Sequence, residues 1–296
     1  MPKSVIDRFL SYLRYERNRS ELTVRRYETS LRDFEAYFQS LDSDLSWASV
    51  DADVIRGWME HMMDRGNIAS TVNTGLSALR SFYRFALMRN LVAKDPAHGL
   101  TGPKKRKPLP QYVREEEMDE LLDHEDWGDS FIDVRARTIL ILLYEAGLRR
   151  GELTGLNDGD VDFTLGQLKV TGKRNKQRIV PFGKELADQL LHYIEVRNGE
   201  VGRNDDALFV DRHGLRMTGE QVYDVVKKNL SRVTTMKKRS PHVLRHSFAT
   251  AMLNHDAGLE SVKQLLGHES LETTEIYTHT TFEQLKRVYK DAHPRG

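Results

Sequence analysis

Two stretches of the C-terminal half decide the fold: FIDVRARTILILLYEAG at residues 131–147 and QLKVTGKRNKQRIVPF at residues 167–182. The first is strongly apolar and predicts a helix from Phe131 to Glu145, followed by Gly147 in a left-handed conformation. The second predicts two strands, Gln167–Val170 and Gln177–Phe182, which the basic turn Gly172-Lys173-Arg174-Asn175 joins as a hairpin. An apolar helix beside a short hairpin indicates a mixed domain.

Helices are predicted for most of the remaining C-terminal half. Ser240-Pro241 is a good N-cap and first-turn pair for a helix that starts at His242, and Gly258 is expected to end it. Gly267 is expected to close the next helix, immediately before His268. The predicted fold class is therefore mainly α with a small β-sheet in the C-terminal domain, an α+β arrangement.

The N-terminal third of the chain reads as all-helical. Apolar residues recur at i, i+3, i+4 and i+7 in four segments, which is typical of amphipathic helices. The first segment has Ser4 as its candidate N-cap, the second starts near Glu21, and the others cover roughly residues 52–64 and 70–89. Their methionine and aromatic stripes favour the core of a helical bundle over a cofactor site.

A proline-rich basic segment separates the two predicted domains. We predict a helical domain at 1–103, a basic linker at 104–112 and a second domain at 113–296. The linker contains Lys104, Lys105, Arg106 and Lys107 between two prolines. A nuclear-localisation signal is one interpretation of these four residues, and we prefer a linker that lies along a phosphate backbone.

Composition limits the class of protein. The chain has 296 residues and no cysteine, with 45 Lys and Arg against 44 Asp and Glu, a formal net charge of +1. The lack of cysteine excludes a disulfide framework, a cysteine nucleophile and a thiolate metal site. No apolar run is long enough to span a membrane, and the first residues lack the apolar stretch of a signal peptide. We therefore expect a cytoplasmic protein with no membrane partner.

The net charge alone argues against a strong nucleic-acid-binding protein, but the charges are unevenly placed. Nine of the fifteen residues from Glu115 to Asp129 are acidic. Segments 163–184 and 227–245 carry six and seven basic residues and no acidic one. Any one such block can be a solvated surface. These two blocks and the linker together predict a basic face that attracts phosphate.

The pair His242 and Arg245 is the first candidate for chemistry. The two residues are three apart, so on a helix they project from one face. They also lie at a helix N-terminus, where free N–H groups and the helix dipole favour an anion. This pattern suits a phosphate, although a capped helix with a surface histidine also fits these residues alone.

Five blocks in order resemble the tyrosine recombinases, specifically those of the Xer type. The blocks are Gly147-Leu-Arg149-Arg-Gly-Glu152-Leu, the turn Gly172-Lys173-Arg174-Asn175-Lys176-Gln177-Arg178, His242-Val-Leu-Arg245-His246, Leu265-Leu-Gly267-His268, and Ile276-Tyr277-Thr278-His279. The helical N-terminal part also resembles the core-binding, SAM-like domain of this family. The resemblance thus covers essentially the whole chain, and it implies a two-domain clamp around duplex DNA.

The resemblance implies a role for each matched residue. Tyr277 matches the nucleophile that forms a 3′-phosphotyrosine, and Arg149 and Arg245 match the arginines that hold the phosphate oxygens. Lys173 matches the general acid for the leaving 5′-oxygen, with Lys176 on the same turn as the alternative. His242 matches the acid/base histidine, and His268 matches a hydrogen-bond donor to the phosphate. No cofactor and no metal ion are expected.

Other polar residues near these blocks receive weaker interpretations. Arg174, Lys176 and the four basic linker residues are predicted to contact DNA phosphates. His242 and His246 are four apart, as in some metal pairs, but Arg245 between them and the lack of a nearby third acidic ligand argue against zinc. We interpret His246 and His279 as supporting residues. Glu152 pairs with an active-site arginine or caps its helix, and we place it outside the site.

The resemblance implies site-specific recombination through a phosphotyrosine intermediate and a Holliday junction, with chromosome dimer resolution at a dif-like site as the expected role. The implied partners are duplex DNA with an inverted-repeat site, a homo- or hetero-tetramer with a second Xer-type recombinase, and a DNA translocase such as FtsK. The helix after Tyr277, at about 282–291, is expected to dock into a neighbouring protomer, and packing within its own chain is the alternative. The alternatives are an integrase or excisionase of a mobile element, a type IB topoisomerase-like enzyme and a non-catalytic DNA-binding protein.

Overall fold

The computed structural model describes residues 4–105, 111–172, 175–267 and 279–295, with side chains omitted at 279–283. Its internal packing divides the chain into two units, 1–108 and 109–296. Most of the described residues are helical, and three short strands form one sheet. The predicted fold class, mainly α with a small sheet in the C-terminal part, is therefore confirmed.

The described residues of the N-terminal unit, 4–105, form four helices. They are α1 (Val5–Ser11), which continues as a π-helical turn (Tyr12–Glu16), α2 (Glu21–Leu41), α3 (Ala52–Asp64) and α4 (Ala69–Met88). Ser4 caps α1 by accepting a hydrogen bond from the N–H of Asp7, so the predicted cap is confirmed. The apolar stripes meet in one core, where Phe9, Phe34 and Trp58 have no exposed surface. The predicted bundle core is confirmed.

The C-terminal unit begins with three helices. They are α5 (Glu115–Asp119), which continues as a π-helical turn (Glu120–His124), α6 (Phe131–Ala146) and α7 (Arg150–Thr154). Helix α6 is buried on nearly all sides, as its sequence predicts. It ends at Gly147, whose φ of 58° is left-handed, and a Cβ there would lie 2.6 Å from the Phe248 ring. The chain therefore turns sharply and delivers Arg149 directly to the start of α7.

A small antiparallel sheet follows α7. A 3₁₀ turn (Asp158–Asp160) leads into β1 (Val161–Asp162), β2 (Gln167–Thr171) and β3 (Gln177–Pro181), in the order β1-β2-β3. The predicted hairpin is confirmed. Both strands begin at the predicted residue, and each differs from the prediction by one residue at its C-terminal end. Strand β1 was not predicted, because two residues are too short to show an alternating pattern.

Five helices complete the C-terminal unit. They are α8 (Lys184–Glu200), α9 (Gly219–Val233), α10 (Pro241–Asn254), α11 (Leu259–Leu266) and α12 (His279–Ala292). The prediction that Gly258 ends α10 is wrong. The helix ends at Asn254, Asp256 takes the positive φ of 61°, and Gly258 has φ −58° as the N-cap of α11. Gly267 does end α11, with a left-handed φ of 63°.

Helix α12 packs on its own chain in this structure. Leu285, Tyr289 and Ala292 join a buried cluster with residues of α10 and α11. Beneath it, the Tyr289 hydroxyl lies 3.4 Å from Oε2 of the fully buried Glu145. Burial, and then the charge of Glu185, raise the pKa of the Glu145 carboxyl to about 8. Docking into a neighbouring protomer, which the family resemblance implies for this helix, stays a prediction.

None of the described helices is both long enough and apolar enough to span a bilayer.

Candidate active site

The two matched arginines lie on different elements, 96 positions apart in sequence, and the fold brings them to one place. Arg149 is the N-cap residue of α7, and Arg245 lies in the first turns of α10. Helix α10 starts at Pro241 after Ser240, as the sequence predicts, and this fixes where Arg245 points. The Arg149 Nη2 donates to the carbonyl of Gly267, and the Arg245 Nη2 donates to the carbonyl of the preceding Leu266.

Three arginines bind three consecutive carbonyls at the end of α11. Arg178 from β3 donates to Leu265 over 2.9 Å, Arg245 donates to Leu266 over 2.6 Å, and Arg149 donates to Gly267 over 2.9 Å. The last carbonyls of a helix have no partner within it and carry its negative dipole end, so cations stabilise them. The arginines thereby anchor the backbone immediately before His268.

Among the described residues, the hydrogen bonds of Arg149 and Arg245 use only part of each guanidinium group, so donors remain for a further anion. A guanidinium has five N–H donors. Arg245 spends one donor on Gly147 and one on Leu266, and Arg149 spends one on Glu152 and one on Gly267. Arg245 is 8% exposed, and burial, followed by the nearby charge of Arg149, lowers its pKa to about 10. It is therefore charged at neutral pH, as a phosphate ligand requires.

Glu152 binds two arginines at the site, so it belongs to the site, in contrast to the prediction that placed it outside. Its carboxylate accepts from Nη1 of Arg149 at 2.6 Å and from both terminal nitrogens of Arg178 at 2.9 Å. It also caps its helix, because it accepts from the backbone N–H of Arg149. Burial alone would raise its pKa, but the hydrogen bonds and charge of Arg178, followed by those of Arg149, outweigh burial and lower the pKa to about 2.

His242 lies one turn before Arg245 at the protein surface. Partial burial lowers the pKa of its imidazole, and the positive charges of Arg150, Arg245 and Lys238 lower it further. The imidazole is therefore neutral at neutral pH and can accept a proton. This electrostatic setting agrees with the acid/base role that the sequence resemblance implies.

Several predicted residues lie outside the described part of the chain: Arg106, Lys107, Lys173, Arg174, His268 and Tyr277. The described residues on either side of 173 and 174 are joined, because Gly172 donates to the carbonyl of Lys176 over 2.7 Å. Lys104, Lys105 and Lys176 are exposed side chains. Within the described ranges, no cluster of three or more histidine and acidic side chains could hold a metal ion.

Arg178 is a site residue to which the sequence analysis gave no role of its own, although it lies within one of the quoted blocks. It lies in the predicted basic hairpin, but β3 alternates so that positions 178 and 180 face inward. A charged residue on the inward face of a strand needs a buried partner, and this was the available signal. The partner, Glu152, is 26 positions away, so local sequence spacing could not identify it.

Comparisons with known proteins agree with these features. The model of the phage integrase family matches residues 111–284, and the model of the phage integrase N-terminal SAM-like domain matches residues 6–90. The tyrosine recombinase XerC of Pelotomaculum thermopropionicum is 36% identical over 301 residues, covering 98% of each chain. The tyrosine recombinase XerD of Oceanobacillus iheyensis is 35% identical over 299 residues, covering 100% of each.

A solved structure shares the fold. The site-specific recombinase XerH, bound to palindromic difH substrate in a post-cleavage complex, aligns with a TM-score of 0.71 at 22% identity. The alignment covers 95% of this chain and 83% of that one.

Proposed function

The chain belongs to the phage integrase family, the tyrosine recombinases, and on that premise we propose that it resolves chromosome dimers by recombining DNA at a dif-like inverted-repeat site. The observation that carries the catalytic part is the convergence of Arg149 and Arg245. Both donate to carbonyls at the end of α11, one or two residues before His268, and both lie within 4.0 Å of the carboxylate of Glu152. Two fixed guanidinium groups suit the two non-bridging oxygens of a phosphodiester.

The proposed reaction is a transesterification. The Tyr277 phenolic oxygen attacks the phosphorus, the bond from phosphorus to the 5′-oxygen breaks, and the products are a 3′-phosphotyrosine and a free 5′-hydroxyl. A phenol with a pKa of ~10 is a weak nucleophile at neutral pH and needs a proton acceptor. Rejoining reverses these steps with a 5′-hydroxyl from the partner duplex, so the energy of the broken bond is retained in the phosphotyrosine.

Three further residues complete the proposed mechanism. His242 accepts the phenolic proton, which agrees with an imidazole whose pKa is lowered by burial and by three neighbouring cations. Lys173 gives a proton to the leaving 5′-oxygen, and His268 donates a hydrogen bond to the phosphate. Arg149 and Arg245 stabilise the charge that develops on the phosphorane oxygens.

The proposed substrate is duplex DNA with an inverted-repeat site, bound by four protomers that exchange strands through a Holliday junction. The tetramer contains this chain alone or together with a second Xer-type recombinase, since relatives named XerC and XerD are equally similar to it. A translocase such as FtsK is a proposed activator, and the cytoplasm is the proposed location. Lys104, Lys105, Arg106, Lys107, Arg174 and Lys176 are the proposed contacts to the DNA backbone.

The first step of the test finds the DNA site without assuming its sequence. The Tyr277→Phe variant, which we expect to bind without cutting, is incubated with sheared genomic DNA from the source organism, and the retained fragments are sequenced. We expect one enriched inverted repeat on the chromosome. Enrichment at the border of a mobile element would instead assign the integrase or excisionase role.

The second step measures cleavage on a nicked duplex of the enriched sequence, from which a short strand end diffuses away and traps the covalent intermediate. Wild type should form a denaturant-resistant DNA adduct. Arg245→Ala should lose it while binding the duplex almost as well, and the exposed Arg212→Ala serves as the matched control. Equal loss of binding and cleavage in Arg245→Ala would contradict its assigned role. Relaxation of plasmids that lack the site would favour a topoisomerase.

A further inference from the structure

We infer that Arg178 is a positioning residue. It fixes the base of the β2–β3 hairpin on the carboxylate that also holds Arg149, and proton transfer by the general acid Lys173 depends on this anchor. This inference rests on the proposed function, since it concerns the protonation step of that reaction. Arg178 itself is assigned no phosphate contact, because each of its three guanidinium nitrogens already donates to Glu152 or to the carbonyl of Leu265.

The contacts of Arg178 use its whole guanidinium fork. Nη1 and Nη2 each donate to one oxygen of Glu152 over 2.9 Å, and Nε donates to the carbonyl of Leu265 over 2.9 Å. One side chain therefore joins strand β3 to α7 and to the end of α11. A bidentate ion pair with a carboxylate, together with a third N–H donor to a carbonyl, is specific to arginine, because lysine presents a single point charge.

The hairpin geometry places this junction at the base of the turn. In the β2–β3 ladder Val170 is opposite Arg178 and Thr171 is opposite Gln177, and the Gly172–Lys176 hydrogen bond closes the turn directly beyond. Glu152 also lies close to Gly172, since a Cβ built on Gly172 would be 3.4 Å from the Oε1 of Glu152. The carboxylate therefore binds the arginine that anchors β3 and leaves little space for a side chain at the glycine that precedes Lys173 in sequence.

This arrangement has a specific chemical consequence. The contacts of Arg149 and Arg245 to Gly267, Leu266 and Gly147 do not involve Arg178, so we expect phosphate binding to lose little when Arg178 is replaced by lysine. The turn, however, loses the anchor at its base. The step that suffers is the transfer of a proton to the leaving 5′-oxygen, which a misplaced lysine performs poorly.

The test compares two nicked duplexes of the recovered site, one with the natural 5′-bridging oxygen and one with sulfur at that atom. A thiolate leaves without protonation because a thiol has a pKa of about 8.5, far below that of an alcohol. General acid catalysis contributes roughly 10²–10⁴-fold. We expect Arg178→Lys to slow cleavage of the oxygen duplex by roughly tenfold or more, and to cleave the sulfur duplex at close to the wild-type rate.

Three further variants make the outcome decisive. Lys173→Ala should show the same rescue by sulfur, and Arg137→Lys, a matched substitution away from the site, should leave the rates on both duplexes unchanged. Gly172→Val, which crowds the turn but keeps every charge, should also be rescued by sulfur if Arg178→Lys does not fold.

Two results would overturn the inference, and they differ. Rescue of Lys173→Ala without rescue of Arg178→Lys or Gly172→Val would show that Arg178 supports the fold or the phosphate site only, and the proposed function would stand. Failure of Lys173→Ala itself to be rescued would remove Lys173 as the general acid, which is a failure of the proposed mechanism.

Discussion

Replacing Glu152 with glutamine should destabilise the C-terminal unit, because the carboxylate neutralises a buried cluster of cations. Its oxygens hold Arg149 and Arg178 at 2.6 and 2.9 Å, and the nearest nitrogen of Arg245 is 4.0 Å away. Glu152→Gln keeps the size of the side chain, but it replaces one acceptor oxygen with an NH2 donor and leaves these guanidinium groups without their counter-charge.

The size of the effect follows from the pKa of Glu152. A fall from 4.5 to about 2 corresponds to about 3 kcal/mol, at about 1.4 kcal/mol per pH unit. Breaking a buried pair by removing one partner costs a similar ~3–5 kcal/mol. For a unit of this size the thermal midpoint should fall by roughly 6–12 °C at pH 7.

The pH dependence gives a second criterion. A carboxyl whose pKa is lowered on folding stabilises the protein fully above its ordinary pKa of 4.5, and this contribution is lost as the pH falls from 4.5 towards 2. Calorimetry of wild type and Glu152→Gln should therefore give a constant difference from pH 6 to 8, which narrows below pH 4.5. The exposed Glu195→Gln on α8 is the matched control and should change the midpoint little.

Two outcomes would refute this reasoning about Glu152. One is a midpoint for Glu152→Gln equal to that of wild type at pH 7, which would mean that the carboxylate does not balance the arginines. The other is a difference in thermal midpoint between wild type and Glu152→Gln that widens as the pH falls. That result would mean that ionisation of Glu152 destabilises the folded protein.

Three further predictions concern stability and binding. Glu145→Gln should raise the thermal midpoint at pH 8 by an amount that corresponds to about 4 kcal/mol, and should leave it unchanged near pH 4. The reason is that a pKa of about 8 makes ionisation of this carboxyl oppose folding. An equal midpoint for the variant and wild type at pH 8 would contradict this. Gly147→Ala should lower the midpoint more than Gly99→Ala, because both have positive φ but only the first Cβ meets a ring, that of Phe248; equal losses would exclude the steric effect. Duplex affinity should fall with salt by a slope of about −0.9 per phosphate neutralised, and Lys104→Ala should reduce that slope by about one unit; an unchanged slope would remove Lys104 from the interface.

Sequence predicted the elements whose signals are local. Ser4 and Ser240 occupy the expected N-cap positions, although of the two only Ser4 makes a capping hydrogen bond with its side chain. The left-handed glycines at 147 and 267 also lie where expected, because a positive φ depends on a few adjacent residues. The assignment of Gly258 as a helix end failed for a related reason. Asp256 also accepts a left-handed conformation, so the chain turned two residues earlier than glycine placement suggested.

The candidate site was predicted only where a family resemblance supplied long-range information. Arg149 and Arg245 are far apart in sequence, and nothing in their local spacing shows that they reach the same helix end. Arg178 and Glu152 were missed as a pair because each has a plausible local role, in a basic hairpin and in a helix cap. Their pairing depends on tertiary packing of β3 against α7 and α11, which no local pattern encodes.

The most direct test of the central claim identifies the protein atom and the DNA end that become joined. The adduct that wild type forms on the nicked duplex is digested with protease and nuclease, and the cross-linked peptide is sequenced by mass spectrometry. The account predicts one linkage, between Tyr277 and a 3′-phosphate, together with a free 5′-hydroxyl on the released strand. No adduct, a linkage to another residue, or attachment to a 5′-phosphate would contradict it.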